Sequence, residues 1–488
     1  MASIPEWAKK QRLKNTEIKE IGGKYYLQRV SSVWDKEKKR AKKISGEYLG
    51  VLTQEGLIPA KKKMVSTEVN YCSKEYGATW IVRSLSADIF ESLKIHFPDL
   101  ANWIYVTCIL RTIHPTAFYN LAEQYERSYL SEVFPNVPMS SSTMTRNMIA
   151  LGLRRKEIVS FMKDFLPKED SFLVFDGTSI VSNSQQIKAA QRGYNSHHCQ
   201  DPQINLMYAI SRVKEKLMPV FYKHYPGSIR DVTAFSNLLN EMGVKTAIII
   251  ADKGFSSINN VEELEENHLQ YIIPLRRNSL AYSREPLKYA DRSGFDGCFE
   301  YNDRMIWYHS QKSEDKKYQV CVYLDETLRF AESKRYKKVI NKEADDSATM
   351  EKFLKKQLEF GTFVIKTNIT NESAIEIYKY YKLREDVEQL YDLYKCNEEN
   401  DTSGMHGEDS LESWLFLNHI SMMICYRVYN LLRKNESLNK YSTVGIMEEY
   451  LRNIRVSNVG LGWKLEPLTK GENKALIALG VPLPLSID

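Results

Sequence analysis

Residues 172–177 read FLVFDG, a short apolar run closed by an aspartate and a glycine. A run of this kind, bounded by a turn pair, predicts a strand buried on both faces of a sheet. TAIIIAD (246–252) repeats the pattern: apolar residues, then Asp252, then Gly254 two positions on. Between the two lie INLMYAISR (204–212) and KLMPVFYKHYPG (216–227), strand-like segments with Pro226-Gly227 as a turn. Asp231 caps a predicted helix over 232–242, a second helix follows over 258–267, and QYIIPL (270–275) reads as a strand. Strands and helices alternating over 171–275 predict a mixed α/β sheet.

Outward from this core the pattern changes. Residues 276–360 are polar and aromatic, with short alternating runs such as DRMIWYHS and KYQVCVYL, and then a charge-rich stretch around 333–356. They predict an inserted, mainly β subdomain. TFVIKTN (362–368) resumes the buried-strand pattern and leads into a helix of roughly 372–396 without Pro or Gly. Residues 84–167 read as helical, with Ser140 to Thr143 offering N-caps. SLESWLFLNHISMMICYRVYNLL (410–432) is a strongly apolar helix, in which His419 is expected to be a hydrogen-bonded core histidine.

A length of 488 residues exceeds one ordinary core and predicts two to four domains. The segments are 1–65, a basic β module expected to bind DNA; 66–167, a helical region expected to bind the DNA ends; 168–275 and 361–400, the two parts of the α/β core; 276–360, the insertion; and 401–488, a helical end suited to dimerisation. Hydrophobic residues at 43% and charged residues at 27% fit a folded globular chain. No run approaches the ~20 apolar residues of a membrane span. MASIPEWAKKQRLKN lacks a signal-peptide core, so a cytoplasmic, nucleoid-associated protein with no membrane partner is expected. Seven scattered cysteines suggest reduced thiols, and adjacent His197-His198-Cys199 is a poor tetrahedral metal site.

Charge is uneven. Residues 1–65 carry 16 Lys or Arg against 7 Asp or Glu, although the whole chain is only +6. That is either the footprint of a nucleic-acid contact or a solvated surface. YYLQRV and GEYLGVLT flank the basic stretch, where Lys38, Lys39 and Arg40 are placed to grip phosphates.

Asp176 and Asp252 both close buried-type strands, where α/β folds keep their sites. Asp-Gly is also a common turn pair, and for Asp176 alone turn chemistry is the simpler reading. The third element is more specific. In YYKLREDVEQLYDLYK (380–395), Tyr381, Arg384, Glu388 and Lys395 fall at offsets 0, 3, 7 and 14. At about 100° per residue they form one stripe about 60° wide, bordering an apolar sector of Leu383, Val387, Leu390 and Tyr394. Alone, such a stripe is usually a solvated face with one Arg384–Glu388 pair.

The set of motifs resembles the insertion-sequence-4 superfamily of DDE transposases. Tyr-x2-Arg-x3-Glu-x6-Lys matches that superfamily's signature. FDGT around Asp176, ADKGF around Asp252 and a β insertion before Glu388 agree in order, with separations of 76 and 136 residues. The resemblance spans nearly the whole chain, including the basic β module. It implies an RNase H-like core in which Asp176, Asp252 and Glu388 are catalytic and hold two Mg2+ ions, with Mn2+ as a possible substitute. Two hard cations suit oxygen ligands and stabilise the entering and leaving oxygens of phosphodiester chemistry. Water would be the first nucleophile and a freed DNA 3′-hydroxyl the second, without a protein nucleophile. The implied partners are double-stranded DNA (terminal inverted repeats and target) and a second copy of the chain in a synaptic complex. Arg384, Lys395, Tyr381, Lys253, Arg276 and Arg277 are candidate phosphate contacts. Trp307 is a candidate for stacking on a flipped base, or else a core aromatic of the insertion. A nuclease without strand transfer would use the same triad, whereas a non-catalytic DNA-binding regulator should have lost a carboxylate.

Overall fold

The computed structural model describes residues 4–35, 40–60, 71–167, 172–193, 201–213, 216–228, 231–244, 247–251, 258–277, 279, 282–340, 350–384, 404–460, 462–484 and 487. They divide into two compact units: Met1–Cys72 with Asn458–Gly462, and Ser73–Ser457 with Trp463–Asp488.

The first unit holds helix α1 (Glu6–Lys10) and strands β1 (Thr16–Ile21), β2 (Lys24–Asp35), β3 (Arg40–Thr53) and β4 (Gly56–Pro59), paired as an antiparallel meander. Gly22 and Gly23 both have positive φ, as a tight two-residue hairpin between β1 and β2 requires. Its core is small: Ala8, Ile18, Leu27 and Leu52, with Trp7 edge-on to Tyr25 at 5.4 Å. β1 pairs with β2 only as far as Arg29, and β4 with β3 only from Gly50. Beyond those points β2 and β3 run on as a two-stranded ribbon.

In the second unit, β5 (Cys72–Glu75) leads into helices α2 (Gly77–Leu85), α3 (Ala87–His96), α4 (Ala101–Ile113), α5 (Leu121–Arg127), α6 (Leu130–Val133), α7 (Ser141–Gly152) and α8 (Arg155–Asp164). The sheet strands are β6 (Phe172–Val181), β7 (Gln203–Val213), β8 (Lys216–Pro226), β9 (Ile248–Ile250) and β10 (Gln270–Pro274), with α9 (Asp231–Met242) and α10 (Ile258–Glu266) between them. β11 (Gly297–Tyr301), β12 (Arg304–Lys312) and β13 (Gln319–Asp325) precede α11 (Glu326–Ile340), α12 (Met350–Lys356) and β14 (Thr362–Thr367). Residues 374–384 form helix α13. It is followed by α14 (Glu408–Arg433), α15 (Thr443–Glu449), β15 (Arg455–Asn458), β16 (Trp463–Leu465) and α16 (Lys470–Leu479).

Nine strands form one sheet in the order β11-β12-β13-β14-β10-β9-β6-β7-β8. β6, β7 and β8 are an antiparallel meander; β9 joins β6 in parallel and β10 joins β9 in parallel. Within β8-β7-β6-β9-β10, only β7 runs against the rest, which is the RNase H-like arrangement. The fold is therefore mixed α/β with an RNase H-like core. The two faces are covered differently. Phe175 meets Phe235 of α9 at 5.1 Å, whereas Tyr208, level with Asp176, stacks on His419 of α14 at 5.9 Å. Phe172, two positions before Val174 on the Asp176 side, packs on Tyr380 of α13 at 4.7 Å. Asp176, α13 and α14 thus share one face.

Two expectations change here. The insertion is not a body apart, because β13 pairs with β14 and carries β11 and β12 onto the same sheet. Its charge-rich half is helical, as α11 and α12, rather than β. The apolar helix at 408–433 is a core element, because α4, α7 and β8 pack around it and leave it buried from Leu411 to Ile424. Its crossing with α7 is so close that a Cβ on Gly152 would lie 1.8 Å from the Asp409 carbonyl oxygen. The helices of 77–164 and 408–479 share one apolar core with the sheet.

Candidate active site

Asp176 is the fifth residue of the ten in β6, not its last. β7 keeps pairing with β6 through Val181, which holds the strand extended past the Asp-Gly pair. On its other side β6 pairs with β9 only from Phe172 to Val174. Asp176 therefore stands just beyond the last described β9 pairing, at the edge towards which β6, β9 and β10 all run. Open α/β sheets bind ligands at this end of their strands.

Helix α13 reaches the carboxylate from the far side of the sheet. Its start is fixed by Tyr323, whose Oη donates to the Ala374 carbonyl at 2.6 Å, and by Gln319, whose Nε2 donates to the carbonyls of Ile369 and Glu372. Tyr378 is buried among Phe299, Tyr301, Tyr323 and Phe363, with ring centroids 5.1–5.5 Å away. Tyr381 packs on Phe363 at 5.7 Å. One turn on, Arg384 Nη2 lies 3.6 Å from Asp176 Oδ1, with the two side chains 16% and 18% exposed. Two residues 208 positions apart, both singled out by the sequence, are thus an ion pair in a half-sheltered site. The pair differs from the free phosphate contact expected of Arg384: a guanidinium stands where positive charge is needed against Asp176.

Behind this site runs a buried polar row that sequence reading missed. Tyr208 stacks on His419, which lies 5.2 Å from Tyr222. Tyr222 Oη donates to Glu412 Oε1 at 2.8 Å. Glu412 also meets Arg155 Nη1 at 2.8 Å and His224 Nδ1 at 3.2 Å, and Arg155 reaches Glu241 at 3.1 Å. Burial works to raise the Glu412 pKa, but the His224 hydrogen bond and the Arg155 charge outweigh it and hold the carboxyl down at about 2. Burial lowers His419 to about 3, and Arg155 adds to the effect. Neither ring nitrogen of His419 has a hydrogen-bond partner among the described residues, so this histidine is packed rather than hydrogen-bonded. The available signal was Glu412, a charge set into an apolar helix seven residues before His419 and so on the same side of it.

The remaining sequence candidates separate clearly. Asp252, Lys253, Glu388, Lys395, Lys38 and Lys39 lie outside the described residues, as do His197, His198 and Cys199. Arg276 is exposed just past the end of β10, on the site's edge of the sheet. Arg277 is already engaged, donating to Glu332 at 3.1 Å and to the Thr362 carbonyl at 3.2 Å, so it fastens α11 to β14. Arg40 is exposed on the ribbon of the first unit. Trp307 pairs with Leu324 in β12, whereas Tyr308 and Tyr323 make the α13 side. Side-chain alternation therefore puts Trp307 on the opposite face from Arg384, against Phe295 at 6.2 Å. Five strand steps from β6 at about 4.8 Å each also set it about 24 Å from Asp176. The fold thus favours the insertion-core reading of Trp307. Among the described residues no three His, Cys, Asp or Glu side chains form a metal-sized cluster.

A carboxylate in the middle of the first strand of an RNase H-like sheet, met by a motif arginine from a helix on the same face, defines a chain with an RNase H-like catalytic core. Residues 167–424 match the family model of the transposase DDE domain, and the chain belongs to that family. It is 23% identical over 249 residues to the transposase for insertion sequence element IS231F of Bacillus thuringiensis subsp. israelensis. That match covers 46% of this chain and 52% of the relative, so the chain spans about half the length of the curated relative it matches. Among solved structures it is similar to the piggyBac transposase in a cryo-EM synaptic complex with hairpin DNA. There the identity is 14%, the TM-score is 0.38, and 77% of this chain and 76% of that one are covered. No described helix is long and apolar enough to cross a membrane.

Proposed function

We propose that the chain is a divalent-metal-dependent DNA transposase that cuts at the ends of its element and joins them to target DNA. Asp176, Asp252 and Glu388 are its metal-holding carboxylates. The observation that carries this reading is the register of β6 with β9. Phe172 is level with Ile248 and Val174 with Ile250, an offset of 76 residues, and Asp252 follows Asp176 by the same 76. The two aspartates thus keep in the sequence the same offset that the described β6–β9 register has. In the sequence motif Glu388 follows four residues after Arg384, the residue that meets Asp176.

The donor chemistry fits two Mg2+ ions, for which Mn2+ would substitute: three carboxylates are hard oxygen ligands, and Asp176 already attracts a cation in the form of Arg384. Bound metal would supply charge stabilisation to the attacking and departing phosphodiester oxygens. The chain's own residues do the rest. Asp176 is held rigid by pairing within β6 and β7. Arg384 neutralises it in the free enzyme and, on the substrate's arrival, turns its fork to a phosphate, a bidentate ligand that suits a guanidinium. Tyr381 and Lys395, which share Arg384's stripe in the sequence motif, are further contacts to the DNA backbone, and Arg276 lines the same sheet edge.

The test uses a plasmid carrying the gene with its native flanking DNA, the purified chain and Mg2+. Cleavage at the element ends and joined products are expected from the parent, and neither from Asp176→Ala or Asp252→Ala. Cleavage that persists in either variant removes the assignment.

A further inference from the structure

We infer that the ribbon of β2 and β3, residues 30–35 and 40–45, is an arm that lies in the major groove of double-stranded DNA. It is set against the groove by its Arg40, Lys42, Val33 and Ile44 face. The inference rests on the DNA-transposase reading for its partner, and adds the element, the groove and the face.

Among the described residues the ribbon has no partner strand in the unit. The pairing of β1 with β2 stops at Arg29 and that of β4 with β3 starts at Gly50, so six consecutive cross-strand pairs, Val30 with Ser45 through Asp35 with Arg40, have no flanking strand among the described residues. Isolated two-stranded hairpins are at best marginally stable in water, and three or more strands or a packed helix are the usual remedy. Here large apolar groups stay in solvent on both faces: Val33 is 55% exposed, Trp34 63% and Ile44 43%. None of them joins the unit's small core. A protruding element that keeps apolar side chains wet and buries nothing has the form of an arm ordered against something else.

Charge identifies the partner. Residues 30–45 carry six Lys or Arg against two Asp or Glu. A cationic two-stranded ribbon has the dimensions that the major groove of B-DNA admits, a groove about 12 Å wide, and the minor groove at about 6 Å does not. Cross-strand partners share a face, so Ser31, Val33, Asp35, Ile44, Lys42 and Arg40 make one side, with two cations against one carboxylate, and Ser32, Trp34, Lys43 and Ala41 the other. On the second side Lys43 is already held by Glu17 of β1 at 2.5 Å. Arg40 and Lys42 have no ion pair among the described residues, and their side leaves cations for phosphates beside apolar groups for base edges and thymine methyls.

The experiment measures binding of the full chain to a labelled duplex of about 30 bp, three helical turns, by fluorescence anisotropy in EDTA. Without metal, cleavage plays no part, so a failure of the ribbon and a failure of the catalytic reading stay distinguishable. Arg40→Ala/Lys42→Ala should weaken binding by roughly 10- to 30-fold at moderate salt and reduce the salt slope by about 2, one contact per lost cation. Trp34→Ser, on the other face, should change affinity by less than about 2-fold. Guanine N7 methylation, which reads the major groove, should be blocked by the parent and restored in the double variant. Unchanged binding in the double variant overturns the proposal. Equal loss in Trp34→Ser overturns the face. Displacement by a minor-groove ligand with N7 left reactive overturns the groove. A DNA-independent dimer in sedimentation velocity that the double variant abolishes assigns the ribbon to a second copy and overturns DNA as its partner.

Discussion

Replacing Glu412 with Gln removes the charge at the centre of the row behind the site while keeping shape and hydrogen-bonding capacity. Glu412 is 6% exposed and faces Arg155, His224 and Tyr222 at 2.8–3.2 Å. Its carboxyl is held at about 2 against an ordinary 4.5, by its hydrogen bond and charge partners against the opposing effect of burial. At roughly 1.4 kcal/mol per tenfold, that gap corresponds to about 3 kcal/mol. A depressed carboxylate contributes its stability above the unfolded value and loses it as pH falls through the folded one. The parent's advantage over Glu412→Gln should therefore be about 3 kcal/mol at pH 7 and shrink to about 2 kcal/mol near pH 3.5. Urea unfolding followed by circular dichroism at several pH values measures it, read on the transition of the larger unit. Breaking a buried pair by removing one partner costs about 3–5 kcal/mol in general, so the figure is in range. A difference below about 1 kcal/mol at pH 7, or one that does not change between pH 7 and 3.5, refutes the reasoning.

His419 is held neutral by burial, so the parent should lose stability as pH falls from 6.5 towards 3. His419→Leu should flatten that decline between pH 6.5 and 5 in the same urea assay, and cost under about 1 kcal/mol at pH 7, since no hydrogen bond is lost. Gly152→Ala forces a methyl into the Asp409 carbonyl and should destabilise the α7–α14 crossing by about 2–3 kcal/mol or prevent soluble expression, visible in a thermal scan. Arg384→Ala frees Asp176 of its competing cation: Mn2+ binding to the DNA-free chain, read by electron paramagnetic resonance, should tighten by roughly 5-fold while plasmid cleavage falls. Trp307→Ala should leave end cleavage and joining within about 2-fold of the parent, because its ring is on the other face of the sheet.

What the sequence could disclose followed from periodicity and local chemistry. The continuous apolar runs of β6, β7, β9 and β10 announced strands covered on both sides, and the order of strands and helices over 171–275 was readable from them. The stripe through Tyr381 and Arg384 followed from helical period alone, and the described part of α13 carries both residues. Pairing was not legible. That β13 would dock on β14 and draw the insertion into the main sheet depends on which edge is left open, which no local pattern records. Which of the two readings of Trp307 the fold favours was not legible for the same reason, since its face is decided by register and a shift of one residue reverses it. His419 was placed in the core rightly but given hydrogen bonds for which it has no partner among the described residues, because the rings of Tyr208 and Tyr222 pack against it instead. Asp176 at mid-strand rather than strand end reflects β7, whose pairing continues five residues past it.

The central claim is that Asp176 and Asp252, separated in the sequence by the offset of the β6–β9 register, are direct metal ligands. Asp176→Cys and Asp252→Cys test it most directly, because a thiolate is a softer ligand than a carboxylate and disfavours Mg2+ more strongly than Mn2+. Plasmid end cleavage is measured for both variants in each metal. The account predicts no cleavage in Mg2+ and recovery in Mn2+ for both. Full activity in Mg2+, or inactivity in Mg2+ without any recovery in Mn2+ from a variant that still binds DNA as the parent does, would contradict it.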